Sequence, residues 1–141
     1  MNLLNREELL KKEALKIEKV DLGNDEYVYV RQMTGRERDL FENSLVVEIK
    51  NRKGIVERYE SNTKDFRAKL CVCTICDEEG VLILKPNDYE MLSTNMSAAR
   101  LEAIVNKAQE LNAISEKDKE NLVKNSDADP AGNSTSDSAE N

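Results

Sequence analysis

The spacing of apolar and polar residues at the start of the chain predicts a short helix followed by a β-hairpin. Asn5 and Glu8 have the spacing of a capping box, in which each side chain bonds the other residue's backbone N–H, so a helix is expected over about 6–15. Residues 16–22 are read as a strand, and residues 26–33 are dense in Val and Tyr at alternating positions, with a Gly-Asn-Asp turn between the two runs. Helices are expected to cover one face of this hairpin.

The remainder of the chain has mainly helical patterns. A second capping box, Thr34 with Glu37, begins a helix whose expected inner stripe is Leu40, Phe41, Ser44 and Leu45. The predicted elements are a helix over 34–47, an excursion or small hairpin over 50–62, a helix over 63–76, a strand over 81–84, a helix over 86–92, a helix over 97–112 and a polar helix over 115–124. The expected fold class is therefore α+β, with a small N-terminal β-hairpin packed against a mostly helical body.

The helix over 97–112 has the clearest amphipathic pattern. Its apolar positions recur at the spacing of one helical face; they are Leu101, Ile104, Val105, Ala108 and Leu111. Such a stripe is typical of a helix that faces the protein core, and the alternative is a groove that accepts a partner.

The last 17 residues differ from the rest in composition. Residues 125–141 contain no Leu, Ile, Val, Phe, Tyr, Lys or Arg and carry four acidic side chains. Such a segment has too little apolar surface to offset the entropy lost on ordering. We expect one globular α+β domain over 1–124 and a disordered acidic C-terminal tail over 125–141, which either aids solubility or contacts a partner.

Charge and hydropathy narrow the class of partner. The net charge is −7, and −3 remains for residues 1–124 once the tail is removed, so no nucleic-acid partner is expected. The apolar runs are only a few residues long, far below the roughly 20 that span a bilayer, so no membrane partner is expected either. Early charges argue against a secretory signal, and three cysteines without one indicate reduced thiols in the cytoplasm.

Sequence motifs for catalysis are scarce. The chain has no histidine, which removes the commonest general base, and it has neither a phosphate-binding loop nor a dinucleotide-binding glycine pattern. Cys73 and Cys76 have C-x-x-C spacing, and Cys71 lies close by. Burial as small apolar residues is favoured over a metal or redox site, because no histidine supplies a fourth ligand and the pair closes a helix. The sequence therefore predicts a protein that is not an enzyme and has no catalytic, metal or cofactor site.

Three arginines at the junction of the hairpin and the next helix form a candidate partner-binding spot. They are Arg31, Arg36 and Arg38. The alternative is that they pair locally with Glu37, Asp39 and Glu42.

The order of these motifs resembles one family. Residues 28–42 (VYVRQMTGRERDLFE) resemble the V-x-V-R-x-[LM]-[ST]-G-x-E-R-[DE]-x-[FY]-E segment of tail assembly chaperones from long-tailed bacteriophages and prophages. A short N-R-E-x-L-L helix precedes it. An R-A-K-L helix with a following cysteine, a D-E-x-G turn, a D-x-x-x-L helix and a final A-x-x-L-N-x-I-S-E-x-D segment follow it. The resemblance covers residues 3–125.

This resemblance implies a function in phage assembly. Members of the family bind the tape measure protein, and often tail tube subunits, in the host cytoplasm and are absent from the finished virion. Many are also made in a longer, frameshifted form, and self-association is a further expectation. The alternatives left open are a structural tail or head–tail component of the particle, and an acidic regulatory protein.

Overall fold

The computed structural model describes residues 1–115, which form a mixed α+β fold with two small sheets. In chain order the elements are α1 (Arg6–Leu10), β1 (Ile17–Gly23), β2 (Glu26–Arg31), α2 (Gly35–Asn43), β3 (Val46–Lys50), β4 (Val56–Ser61), α3 (Phe66–Thr74), β5 (Ile75–Cys76), a 3-10 turn (Pro86–Asp88), α4 (Tyr89–Asn95) and α5 (Ala98–Leu111). The expected polar helix over 115–124 and the expected tail over 125–141 lie outside the described residues, except for Ser115.

The predicted N-terminal hairpin is confirmed and gains a third strand. β1 and β2 pair antiparallel, and the turn between them uses Asn24 and Asp25 with φ of 53° and 63°. Two successive residues with positive φ suit the twist of a tight hairpin turn. β5 then adds antiparallel to the other edge of β2, with Tyr29 opposite Cys76, so the sheet order is β1-β2-β5.

The core lies between this sheet and the helices. α5 packs against β1 and β2 on one side and against α3 on the other. The fully buried side chains at its centre are Val30, Phe41, Leu70, Cys71, Thr74, Ile104 and Val105. Phe41 and Phe66 meet edge to face at 5.6 Å between ring centroids, which fixes α2 on α3.

The helix predicted over 34–47 is shorter, because its last residues belong to a second hairpin. α2 ends at Asn43, and β3 and β4 pair antiparallel as a separate two-stranded sheet. The β-branched residues of β3 favour this pairing over another helical turn. At the base of the hairpin, the backbone N–H of Asn62 donates to the carbonyl of Leu45 at 2.7 Å.

The helix predicted over 63–76 is also shorter at both ends. α3 begins after its N-cap residue, Asp65, so Thr63 is not the N-cap. Asp65 has a φ of 61°, a left-handed backbone conformation that bounds the right-handed helix. α3 ends at Thr74 because Ile75 and Cys76 pair with β2. The strand predicted over 81–84 is reduced to one bridge between Leu82 and Cys76.

The first helix is only five residues long instead of the predicted ten. The capping box of Asn5 and Glu8 is present, with backbone-to-side-chain bonds of 2.9 and 3.0 Å in the two directions. After Leu10 the backbone is extended at Lys11, and every residue from 1 to 14 is exposed. Without a surface to pack on, the local pattern does not extend the helix.

Candidate functional site: an apolar groove beside helices α2 and α3

An open groove of about 540 Å³ lies between α2, α3 and the segment 82–89. Its walls are almost entirely apolar, and Glu37 and Lys69 are the charged residues that border it. The apolar and aromatic lining residues are Leu40, Phe41, Val72, Cys73, Leu82, Leu84, Pro86 and Tyr89. An open apolar surface of this kind is suited to binding an apolar segment of another protein.

Leu40 is the most prominent residue of the groove. It was predicted to face the core, and instead it is 63% exposed, whereas Phe41 and Leu45 are buried. The helix presents two faces: Phe41 packs against Phe66, while Leu40 stands on the open wall. Ser44, also predicted for the inner stripe, is exposed as well, so the prediction is wrong for Leu40 and Ser44 and correct for Phe41 and Leu45.

Cys73 also lines the groove and is only partly buried, unlike the other two thiols. Cys71 and Cys76 are 0% and 3% exposed and belong to the core. Burial raises the pKa of Cys73 to about 11, with the Glu37 carboxylate adding to the shift and Arg31 opposing it. A thiol with so high a pKa is mostly protonated and unreactive near neutral pH, so its contribution to the groove is apolar surface.

The two charged groups at the rim are held in place by other residues. Lys69 Nζ donates to the carbonyl of Ser44 at 2.9 Å and lies 5.2 Å from the ring centroid of Tyr89. Glu37 is bound to Arg31 through both carboxylate oxygens. Each of the two charges therefore already has a hydrogen-bond partner within the protein.

The arginine spot predicted at the hairpin–helix junction is largely paired inside the protein. Arg31 is 6% exposed and faces Glu37, while Arg38 Nε contacts Glu42 Oε2 at 2.9 Å. Arg38 Nη1 also donates to the backbone carbonyl of Asn112 at 3.0 Å. Only Arg36 is exposed, and it forms no ion pair with another residue in 1–115. The local pairing alternative therefore describes Arg31 and Arg38, although Asp39 is not one of their partners.

The apolar stripe of α5 is part of the core. Leu101, Ile104, Val105 and Ala108 are at most 5% exposed, and Leu111 packs against the same cluster while half-buried. These side chains cannot form an open groove without unfolding of the domain. Of the two readings of this helix, the structure supports the core-facing one.

The groove itself was not predicted, because its residues come from distant parts of the sequence. Leu82, Leu84 and Tyr89 are separated from Leu40 by more than 40 positions, and no local pattern links them. The only sequence signal for the groove was Leu40, an apolar residue of α2 in addition to those that its core-facing side requires.

Similarity to known proteins adds no information on the ligand of this groove. Comparisons with protein-family models, with curated proteins and with solved structures each find no match.

In residues 1–115, no three side chains of the usual metal-ligating types lie close enough together to hold an ion. In the same residues, no helix has the length and apolar character needed to cross a bilayer.

Proposed function

We propose that this chain is a non-enzymatic tail assembly chaperone of a long-tailed phage, which binds the tape measure protein, tail tube subunits or both before tail polymerisation. It would act in the host cytoplasm and be absent from the finished particle. The proposal rests on the motif order of residues 3–125 and on one structural observation, the open apolar groove between α2 and α3.

The groove fits the task that such a chaperone performs. A tape measure protein is long and helical, and it exposes apolar stripes until the tail tube surrounds it. A groove lined by Leu40, Val72 and Leu84 can cover a few apolar side chains of one turn or two of such a helix. Because the fixed charges lie only at the rim, binding depends on apolar contact and can be reversed without a chemical step.

Binding is tested by co-expressing the chain with the tape measure protein of the same phage and measuring the amount that copurifies. We expect Leu40→Asp to reduce copurification roughly tenfold or more, because a charge would be buried in an apolar contact. Ile55→Asp is the matched control, since Ile55 is 59% exposed in the connection between β3 and β4, away from the groove. Equal losses in both variants, or no binding by the unsubstituted chain, would overturn the proposal.

Mass spectrometry of purified virions separates this function from that of a structural tail component. A chaperone is absent from the particle after assembly, whereas a tail or head–tail component is present in fixed stoichiometry. Finding the chain in virions at the copy number of a tail ring would replace the chaperone proposal with the structural one.

A further inference from the structure

The wall of the groove that α2 forms has a positively charged side chain at each end. Leu40 lies in the middle of this wall, with Arg36 one helical turn before it and Ser44, the C-cap residue, one turn after it. Residues four positions apart are neighbours on a helix surface, so these three share one side of α2. The two turns from Arg36 to Ser44 span about 12 Å along the helix axis.

The charge at the first end is that of Arg36. Its side chain is exposed, and within residues 1–115 it forms no ion pair, whereas Arg31 and Arg38 are paired with glutamates. Around the helix axis, Arg36 lies only about 40° from Leu40. Its guanidinium is therefore placed to contact a ligand that covers Leu40.

The charge at the second end is that of Lys69. Its Nζ donates to the carbonyl of Ser44 at 2.9 Å and lies 5.2 Å from the ring centroid of Tyr89, so the ammonium group is held beside the groove. An ammonium group has three N–H donors, and the bond to Ser44 uses one of them. No carboxylate among the described residues forms an ion pair with Lys69.

The nearby acidic residues leave these two positive charges available. Both carboxylate oxygens of Glu37 accept hydrogen bonds from the buried Arg31, so this pair is neutral as a unit. Asp39 is exposed, but successive helical residues are about 100° apart, which puts Asp39 and Phe41 on opposite sides of Leu40. The groove therefore offers apolar walls and two positive charges, although the whole chain carries a net charge of −7.

We propose that the client segment that binds this groove is an amphipathic helix with a carboxylate on each side of its apolar residues, two turns apart. The inference rests on the proposed function, because it describes the client of the same groove. In a helix, residues i and i+7 lie about 10.5 Å apart along the axis and about 20° apart around it, which matches the spacing of Arg36 and the Lys69–Ser44 contact. Apolar residues at i+3 and i+4 then lie against Leu40 and the other apolar lining residues.

Apolar contact and charge have separate roles in this arrangement. Burial of the apolar residues supplies most of the affinity and accepts many sequences. The two charges select among these sequences, because a lysine or arginine at i or i+7 would meet Arg36 or Lys69 as a like charge. Exposed ion pairs are individually weak, so we expect a preference of roughly tenfold and not an absolute requirement.

The test uses alanine-based peptides of about 16 residues, a length at which helices begin to form in water. All carry Leu at i+3 and i+4, and they differ at i and i+7, which are both Glu, both Gln or both Lys. Fluorescence anisotropy with labelled peptides measures binding to the full chain. The Glu peptide should bind roughly tenfold or more tightly than the Lys peptide at low salt, and the difference should narrow as the ionic strength rises.

Substitutions in the chain assign this preference to the two charges. In Arg36→Gln/Lys69→Gln, the Glu and Lys peptides should bind within roughly twofold of each other. The matched control is Arg52→Gln/Lys53→Gln, which removes the same two charges from exposed positions in the connection between β3 and β4. This control should keep the full preference, and circular dichroism verifies that both variants keep the fold.

Several outcomes would overturn the inference. These are equal binding of the Glu and Lys peptides, binding of none of the peptides, and a preference that persists in Arg36→Gln/Lys69→Gln. Sedimentation velocity adds another: if the chain associates with itself and Leu40→Asp abolishes that association, the occupant of the groove is a second copy.

The inference and the proposed function can fail separately. A chain that copurifies with the tape measure protein but does not distinguish the peptides keeps the function and loses the inference. A chain that prefers the Glu peptide but does not copurify with the tape measure protein does the reverse.

Discussion

The guanidinium of Arg31 and the carboxylate of Glu37 form a two-point ion pair, with Nη1–Oε1 and Nη2–Oε2 distances of 3.0 and 2.8 Å. The pair joins the end of β2 to the first turn of α2. Glu37 Oε1 also accepts the backbone N–H of Thr34, so one carboxylate serves the capping box and the ion pair together. Because Arg31 is buried, loss of Glu37 would leave a charge without its counterion inside the protein.

Replacement of this carboxylate should destabilise the fold in a pH-dependent way. The hydrogen bonds from Arg31 hold the pKa of Glu37 below its ordinary value, against the opposite effect of burial. A lowered folded-state pKa stabilises the protein above the ordinary glutamate pKa, and this contribution is lost as the pH falls through the folded value. Glu37→Gln should therefore lower the free energy of unfolding by about 1–3 kcal/mol at pH 7, and the difference should shrink below about pH 4.5.

Urea unfolding of both proteins from pH 3 to pH 8 measures this difference. Glu102→Gln is the matched control, because Glu102 pairs with Arg67 at 2.6 Å while both side chains are about half exposed. Its effect should stay below about 1 kcal/mol. A Glu37→Gln effect that is equally small, or independent of pH, would contradict the structural role of the pair.

Asn112 connects the end of α5 to the same junction. Its Oδ1 accepts the backbone N–H of Met33 at 2.6 Å, and its Nδ2 donates to the carbonyl of Ala108 at 2.9 Å. Asn112→Ala should cost about 1–3 kcal/mol in unfolding free energy, because the Met33 N–H loses its acceptor in a partly buried position. Thermal unfolding should show no loss for Asn106→Ala, a control at an exposed position on the same helix.

Ile104 should behave as a core residue and not as part of a binding surface. It is 0% exposed in the centre of the α5 stripe, so Ile104→Ala should lower the unfolding free energy by about 2–5 kcal/mol. The matched substitution Ile83→Ala, at a position 57% exposed, should change it by about 0.5 kcal/mol or less. Chemical unfolding of the two variants decides between the core and the surface roles.

Cys73 should be the first thiol to react with an alkylating reagent in the native protein. Because its pKa is raised to about 11, the rate should be low at pH 7 and rise about tenfold per pH unit toward pH 9. Cys71, fully buried with a pKa raised to about 12, should react only after unfolding. Mass spectrometry of partly labelled peptides measures the order, and Cys73→Ser should remove the early reaction; equal labelling of Cys71 would refute it.

Local signals predicted the elements that depend on neighbouring residues. Both capping boxes, the first hairpin and the α5 helix were predictable, because each is fixed by residues within a few positions of one another. The ends of α2 and α3 were not, since the residues that follow α2 form a local hairpin with β4 and those that end α3 pair with the distant strand β2. The β2–β5 pairing depends on the tertiary fold and outweighs the local helical preference of Ile75 and Cys76.

The candidate site was less accessible to sequence reasoning than the fold. Clustering in the sequence indicated the three arginines as a candidate binding spot. In the structure, buried Arg31 pairs with Glu37, and Arg36 alone of the three is exposed. The groove combines an exposed leucine on α2 with lining residues from the segment between Leu82 and Pro86, which has no helical or strand periodicity. Its detection required the packing of α2 on α3.

The short hydrogen bond from Asn62 to Leu45 closes the base of the β3–β4 hairpin, where the chain leaves the body and returns to it. The tip of the hairpin, around Gly54, lies at the opposite end of the two strands from this junction. This makes the tip a suitable insertion point for a fluorophore or an affinity peptide. A label there would follow binding in real time while the groove stays unmodified.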